Sequence, residues 1–480
     1  MKNFAALLFL LLAPLAFGHV GSPDVFYEGD AGPYHLLVAV RPPAMIPGVA
    51  QVDIRTTQGE VQTIKVVPVY LTAKDKGLPP TPDVMKTVAG DAKSFTGSVW
   101  LMASGSWEVR VEVEGSQGSA VLGVPVAAFA RRTLPMQKAL GALLFALMLF
   151  LAFGIVAIAG AAAREGQVDP GTPATPKRVR LGRIAMIVAA VMVFSMIYLG
   201  NAWWNSEASS LKHDMLYKAP PLDASLNGDR LVLKMGLSNW HELRKKSWSM
   251  TLIPDHGHLM HLFLLRVPAM DRFYHLHPEQ TQDGNFALDL PAVDAGHYKL
   301  FADIVRESGF PDTMVSDIDL PQIAGKSLSG DDSAVSCGAF SGADLSESAL
   351  PDGSKMIWER ESRSPVSSQL NWFKFRVVRP DGTPVNDLEP YMGMAGHAVF
   401  IRSDEQVFAH IHPAGSVPMA ALEVVQKDVG ASSAMPHSMS MPAEVSFPYG
   451  FPQPGDYRMF VQVKRMGRVE TGVFDTKVVN

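Results

Sequence analysis

The chain predicts a mainly β protein: three β-sandwich domains, with two transmembrane α-helices between the first and the second. Three observations carry this expectation. Short β-rich runs such as HLLVAV and AQVDIR, punctuated by Gly and Pro, recur through the first 130 residues. Two apolar runs, 139–163 and 184–204, contain no charged residue and are long enough to span a bilayer at about 1.5 Å per residue. Finally, GSWEVRVEVEGSQGSAVLGVPV, GHYKLFADIVRESGFPDTMVSDIDL and GDYRMFVQVKRMGRVETGVFDTKV each open on a glycine and an aromatic, turn, and close with a second strand.

Taken in order, residues 1–18 read as a secretory signal: Lys2, an apolar run, then the small-residue pattern Ala16-Phe17-Gly18. Cleavage there would leave His19 as the first residue, with amine and ring together available to a metal. Residues 19–130 form the first sandwich, of Ig-like or cupredoxin-like type. The loop 164–183 between the apolar runs holds Arg164, Lys177, Arg178, Arg180 and Arg183, which places it in the cytoplasm by the positive-inside rule. All three sandwiches then lie outside the cytoplasmic membrane, facing the periplasm or cell exterior. Residues 205–320 form the second sandwich, the Ser/Gly/Asp-rich stretch 321–354 a flexible join, and residues 355–480 the third sandwich.

The chemistry lies in a repeat. PDHGHLMHLFLLRVPAMDRFYHLHPE starts at Pro254, and PYMGMAGHAVFIRSDEQVFAHIHPAG starts at Pro390. His261 aligns with His397, and the His-x-His pairs His275/His277 and His410/His412 close the two copies. The first copy predicts a hairpin that sets His261 opposite His277, with His275 and His277 on one face, and the second a hairpin one residue shorter around Asp404 that brings His397 close to His410 and His412. The loop before each hairpin carries His256 and His258 in the first copy and Met392 and Met394 in the second. Imidazole and thioether share little as core fillers, but both are copper ligands, and thioether favours Cu(I). The expectation is one pocket per domain, with Cu(II) or zinc in the second sandwich and Cu(I) in the third. A cupin site needs a glutamate where Thr281 and Gln282 stand. A further segment, Met435-Pro436-His437-Ser438-Met439-Ser440-Met441, alternates sulfur and imidazole with serine, and His437, Met439 and Met441 are candidate Cu(I) ligands.

The phrases GMAGH, Gly393 to His397, and FAHIHP, Phe408 to Pro413, resemble the YtkA-like and FixH-like membrane-anchored sandwich domains. They bear a looser similarity to CopC-type periplasmic copper proteins, which an N-terminal His19 also resembles. The resemblance implies location and metal class rather than a reaction.

Composition narrows the classes further. A net charge of −5 without a basic, aromatic-interleaved patch excludes a nucleic-acid binder. The lone Cys337 excludes a disulfide framework and any CxxC site. The leading expectation is a non-enzymatic, membrane-anchored copper protein for buffering, delivery or resistance, with a copper-acceptor or copper-transport membrane protein as partner. A metal-dependent oxidase and a metal-free adaptor are the alternatives.

Overall fold

The protein is described from a computed structural model covering residues 23–71, 80–169, 171–214, 216–236, 251–360, 363–429 and 441–480. Of the candidate ligands, His19, His437 and Met439 lie outside these residues. Two compact units are present, one built from residues 1–129 and 218–480 and the other from residues 130–217.

The smaller unit holds the helices Lys138–Glu165 and Pro176–Asp214, both long and apolar enough to cross a membrane. Each extends beyond the apolar runs, because polar turns continue the helix on either side of an apolar centre. Their large side chains, among them Phe150, Phe153, Phe194 and Trp203, are exposed, as lipid-facing residues would be.

The larger unit is three sandwiches. In the first, a sheet of Val25–Ala31, Tyr34–Arg41, Gly48–Gln58, Asp91–Leu101 and Lys86–Val88 faces one of Asp83–Val84, Val61–Tyr70, Gly105–Gly115 and Gly118–Ala128. Alternating residues such as Val109, Val111 and Val113 fill its core.

The second and third sandwiches repeat one plan. In the second, the central strand His261–Arg266 lies between Arg272–Leu276 and the long strand Gly296–Arg306. In the third, His397–Arg402 lies between Phe408–Ile411 and Gly455–Arg465. The pairing of Leu262 with Leu276 agrees with the register predicted for the first hairpin, and Ala398 pairs with Ile411 in the second. Both central strands are buried on both faces, which is why they read as unbroken apolar runs. Leu262 and Leu264 enter the core of the second sandwich, and Ala398 and Phe400 that of the third. Phe263, Leu265, Val399 and Ile401 point the other way, into a separate cluster where the two sandwiches meet.

That interface has approximate twofold symmetry. Phe301 stands opposite Phe263 in its sheet, and Phe460 stands opposite Val399 in the other. Phe273 stacks on Phe460 at 4.1 Å and Phe301 on Phe408 at 4.4 Å, the same contact made in each direction. Self-complementary pairing of this kind is what twofold interfaces use, here between two copies in one chain. Burying such a ring is worth about 1.5–3 kcal/mol.

The stretch 321–354 differs from the flexible join expected. Ser333–Ser336 pairs with Arg272–Leu276 in the second sandwich, and Glu347–Ala349 opens the third. Backbone hydrogen bonding to a hairpin edge orders it despite its polar composition. The helix Met419–Val429, which the strand pattern did not predict, packs Leu422 against the core of the first sandwich. Met441 is half-buried against the core of the third sandwich, so it is a core thioether and not the solvent-facing one expected.

Candidate metal centre

Because strand alternation gives every second residue the same face, His261 shares its face with Phe263, His275 with Phe273, and His410 with Phe408. The face that meets the opposite sandwich therefore carries the imidazoles. Just beyond the aromatic cluster they form one continuous group of eight: His256, His258, His261, His275, His277, His397, His410 and His412.

The loops before the hairpins are matching tight turns. His256 and Gly257 have φ of 52° and 86°, and Met392 and Gly393 have 50° and 78°. With both central residues left-handed, these are type I′ turns. Asp255 and His258 exchange backbone hydrogen bonds of 2.8 and 3.0 Å, as do Tyr391 and Met394. His256 Nδ1 donates to the carbonyl of Met392 at 2.7 Å, so the turns meet back to back. Asp255 fixes this arrangement, since its buried carboxylate accepts from the backbone N–H of Ala420 at 2.8 Å, at the start of the helix Met419–Val429. Carboxylates are favoured there by unpaired amides and the helix dipole.

Two sets of three imidazoles result, and both cross the interface. His256 from the second sandwich joins His397 and His412 from the third, with ring centroids 4.9, 5.0 and 5.0 Å apart. His261 and His275 join His410, at 5.3, 5.3 and 5.6 Å. Within each set one nitrogen per ring lies within 4.8 Å of the others. The expectation of one closed pocket per domain is therefore corrected: the histidine face of each hairpin is turned to the other sandwich, so the ligands are drawn from both.

The hydrogen bonds leave lone pairs inside. His256 Nδ1 and His412 Nδ1 donate to the carbonyls of Met392 and Val417, the latter at 3.1 Å, leaving both Nε2 atoms unprotonated and without a partner. Both ring nitrogens of His397 are buried and unpartnered. In the other set, His261 Nε2 donates to the Asp255 carbonyl at 3.1 Å. His275 Nδ1 donates to Gln462 Oε1 at 2.9 Å, with the Tyr391 hydroxyl oxygen at 3.3 Å and that hydroxyl donating to the backbone carbonyl of Asp331. His261 Nδ1 and His275 Nε2, 3.1 Å apart, then face each other as two lone pairs. A proton would relieve them, but burial first, then neighbouring imidazoles, lower both pKa values well below the usual range. The same causes lower His397 and His410, and burial pushes His412 down to about 3. A cation held by lone pairs fits this donor set. Ligating imidazoles typically donate their second nitrogen to a carbonyl or carboxylate, and His256 and His412 do so.

The outer partners exchange across the interface too. Gln462 lies opposite His397 and serves His275, while Asp303 lies opposite His261 and approaches His410 Nδ1 at 3.5 Å. Burial raises Asp303 to about 7. Gln462 and Asp303 hold the same place in GDYRMFVQ and GHYKLFAD, a correspondence visible in sequence but not used to find them. Asp331 and Asp332, from the polar stretch before the third sandwich, gave no comparable signal.

A sequence family described as a domain of unknown function, DUF8832, matches residues 349–480. No curated protein matches the chain. Among solved structures, latent PorU from Porphyromonas gingivalis is similar at 9% identity over 95% of this chain and 34% of its own, with a TM-score of 0.14. Trypsin-activated alpha-2-macroglobulin from Escherichia coli is similar at 8% identity over 96% and 24%, with a TM-score of 0.16. The chain thus spans about a third or less of these proteins' lengths.

The remaining candidates separate. Met392 and Met394 are buried, and the carbonyl of Met392 receives His256. Cys337 is a free, half-buried thiol at the interface near Arg458. His35 and His297 are paired with surface carboxylates, as structural histidines are.

Proposed function

We propose that this is a membrane-anchored, extracytoplasmic copper-binding protein that buffers or hands on copper, holding the ions between its second and third sandwiches. The observation that carries the reading is the triad His256, His397 and His412, in which one ring nitrogen of each lies within 4.8 Å of the others, with Nε2 of His256 and His412 and both nitrogens of His397 buried and unpartnered. Three neutral imidazoles suit copper and also zinc. The exchange of His256 and His258 for Met392 and Met394 between the two copies of the sequence is what points to copper over zinc, although the thioethers stand outside both imidazole sets. On this reading the two apolar helices are the anchor, and the kinship is with the YtkA-like and FixH-like domains. The test is copper titration of the full chain in detergent micelles, with X-ray absorption at the copper edge. Copper bound by imidazole, with its stoichiometry reduced by about one ion per chain in an H397A/H412A double variant, is expected; equal binding by that variant and the wild type would overturn the reading.

A further inference from the structure

The unpartnered ring nitrogens of both triads are buried, so an ion must reach them past some less buried group. The edge of the cluster nearest the second sandwich offers one. His258 stacks on His277 at 3.9 Å with an interplanar angle of 26°. The His258 side chain is 31% exposed, whereas that of His277 is 4% exposed. Asp332 accepts from the backbone N–H of His277 at 3.0 Å and from its Nδ1 at 2.9 Å. His277 Nε2 is thereby left with its lone pair, buried and without a partner. Asp331 Oδ2 lies 3.6 Å from His258 Nε2, its other oxygen taking Lys464 at 3.2 Å. One lysine against two half-exposed carboxylates leaves this rim net negative.

From the rim inward, the His277 ring is 4.7 Å from His275 and 5.0 Å from His261, both members of a triad. These spacings match those within the triads, so a captured ion can exchange one imidazole for the next without returning to water. The counterpart of His258 in the third sandwich is Met394, which is only 4% exposed.

We infer that His258, His277, Asp331 and Asp332 form a capture rim through which copper is loaded into the buried triads from the second-sandwich side. The inference rests on the copper reading of the cluster. It gives the stretch 321–354 a role, because both carboxylates come from it. Carboxylates at a cleft mouth raise local cation concentration and on-rate, and a half-exposed imidazole supplies the first covalent-strength ligand.

The test is stopped-flow uptake of Cu(I), presented as its cationic acetonitrile complex under anaerobic conditions, by the full chain in micelles, alongside equilibrium copper content. H258A and D332N are expected to slow uptake about tenfold with the final content of the two triads unchanged. M394A should leave the rate alone. Equal rates for H258A and M394A would overturn the inference, as would a loss of triad copper in H258A that accounts for the slowing. D332N keeps the oxygen that His277 needs, so it also reports if H258A misfolds. Wild-type protein that takes up no copper would refute the copper reading itself, a result distinguishable from wild-type loading that ignores the rim.

Discussion

His256 donates its Nδ1 proton to the carbonyl of Met392, the residue 136 positions later that occupies its own place in the second copy. This bond joins the two turns and aims the second sandwich's imidazole at the third sandwich's pair, His397 and His412. Substituting His256 by Asn, which tolerates a left-handed φ, should preserve the turn and remove the ligand. Copper affinity of that triad is expected to fall at least about tenfold, measured by chelator competition, with thermal stability nearly unchanged. H256A should in addition lose about 1–2 kcal/mol from backbone strain.

The Asp255 carboxylate ties the same turn to the helix Met419–Val429. D255A is expected to cost about 1–2 kcal/mol as a lost helix cap and to weaken copper binding although Asp255's carboxylate is no ligand. D255N, which keeps a capping oxygen, should recover most of both. Thermal unfolding and chelator competition on the two variants check this.

The Phe273–Phe460 stack should make metal binding depend on the apolar interface. F273A is expected to destabilise by about 3–5 kcal/mol and to lower copper affinity together with it. In a double-mutant cycle the F273A/F460A losses should fall short of additive by about 0.5–1.5 kcal/mol, read from thermal unfolding of the four proteins.

Acid should destabilise the metal-free protein. His261, His275, His397, His410 and His412 have lowered pKa values, and His412 stands at about 3. Below the usual imidazole value of about 6.5 the unfolded chain binds protons that the folded chain refuses, so stability falls with pH. The slope is at most about 1.4 kcal/mol per pH unit for each imidazole and continues toward the folded pKa. Asp303 and Glu470, each raised to about 7 by burial, and Asp255, also raised by burial, act oppositely between their folded and unfolded values, but three carboxyls are outnumbered by five imidazoles. Unfolding measured between pH 7.5 and 5 without metal should show the decline, and saturating copper should shift its onset to lower pH.

Much of this was legible in the chain. The hairpins, their register, and the shared face of His275 and His277 follow from strand alternation and turn length. So does the correspondence of His256 with Met392, since aligning two copies needs only order along the chain. Two local readings failed for physical reasons, besides the placing of one pocket in each domain. The stretch 321–354 looked flexible because its residues are polar, yet Asp331 and Asp332 are ordered by the hairpin edge and His277. Met441 looked like an exposed thioether because prolines and serines surround it, but a neighbouring core claims it.

The sequence alone determined the donor types, their spacing and the face each one takes, because those depend on the two-residue period of a strand. An unbroken apolar run such as HLFLLR also says that both faces of its strand are covered. It does not say by what. Only the tertiary structure decided that each histidine-bearing face is covered by the other sandwich, so that every triad takes rings from both. Lone pairs converge from two separately folded sheets, and long-range packing, not order along the chain, sets which rings meet.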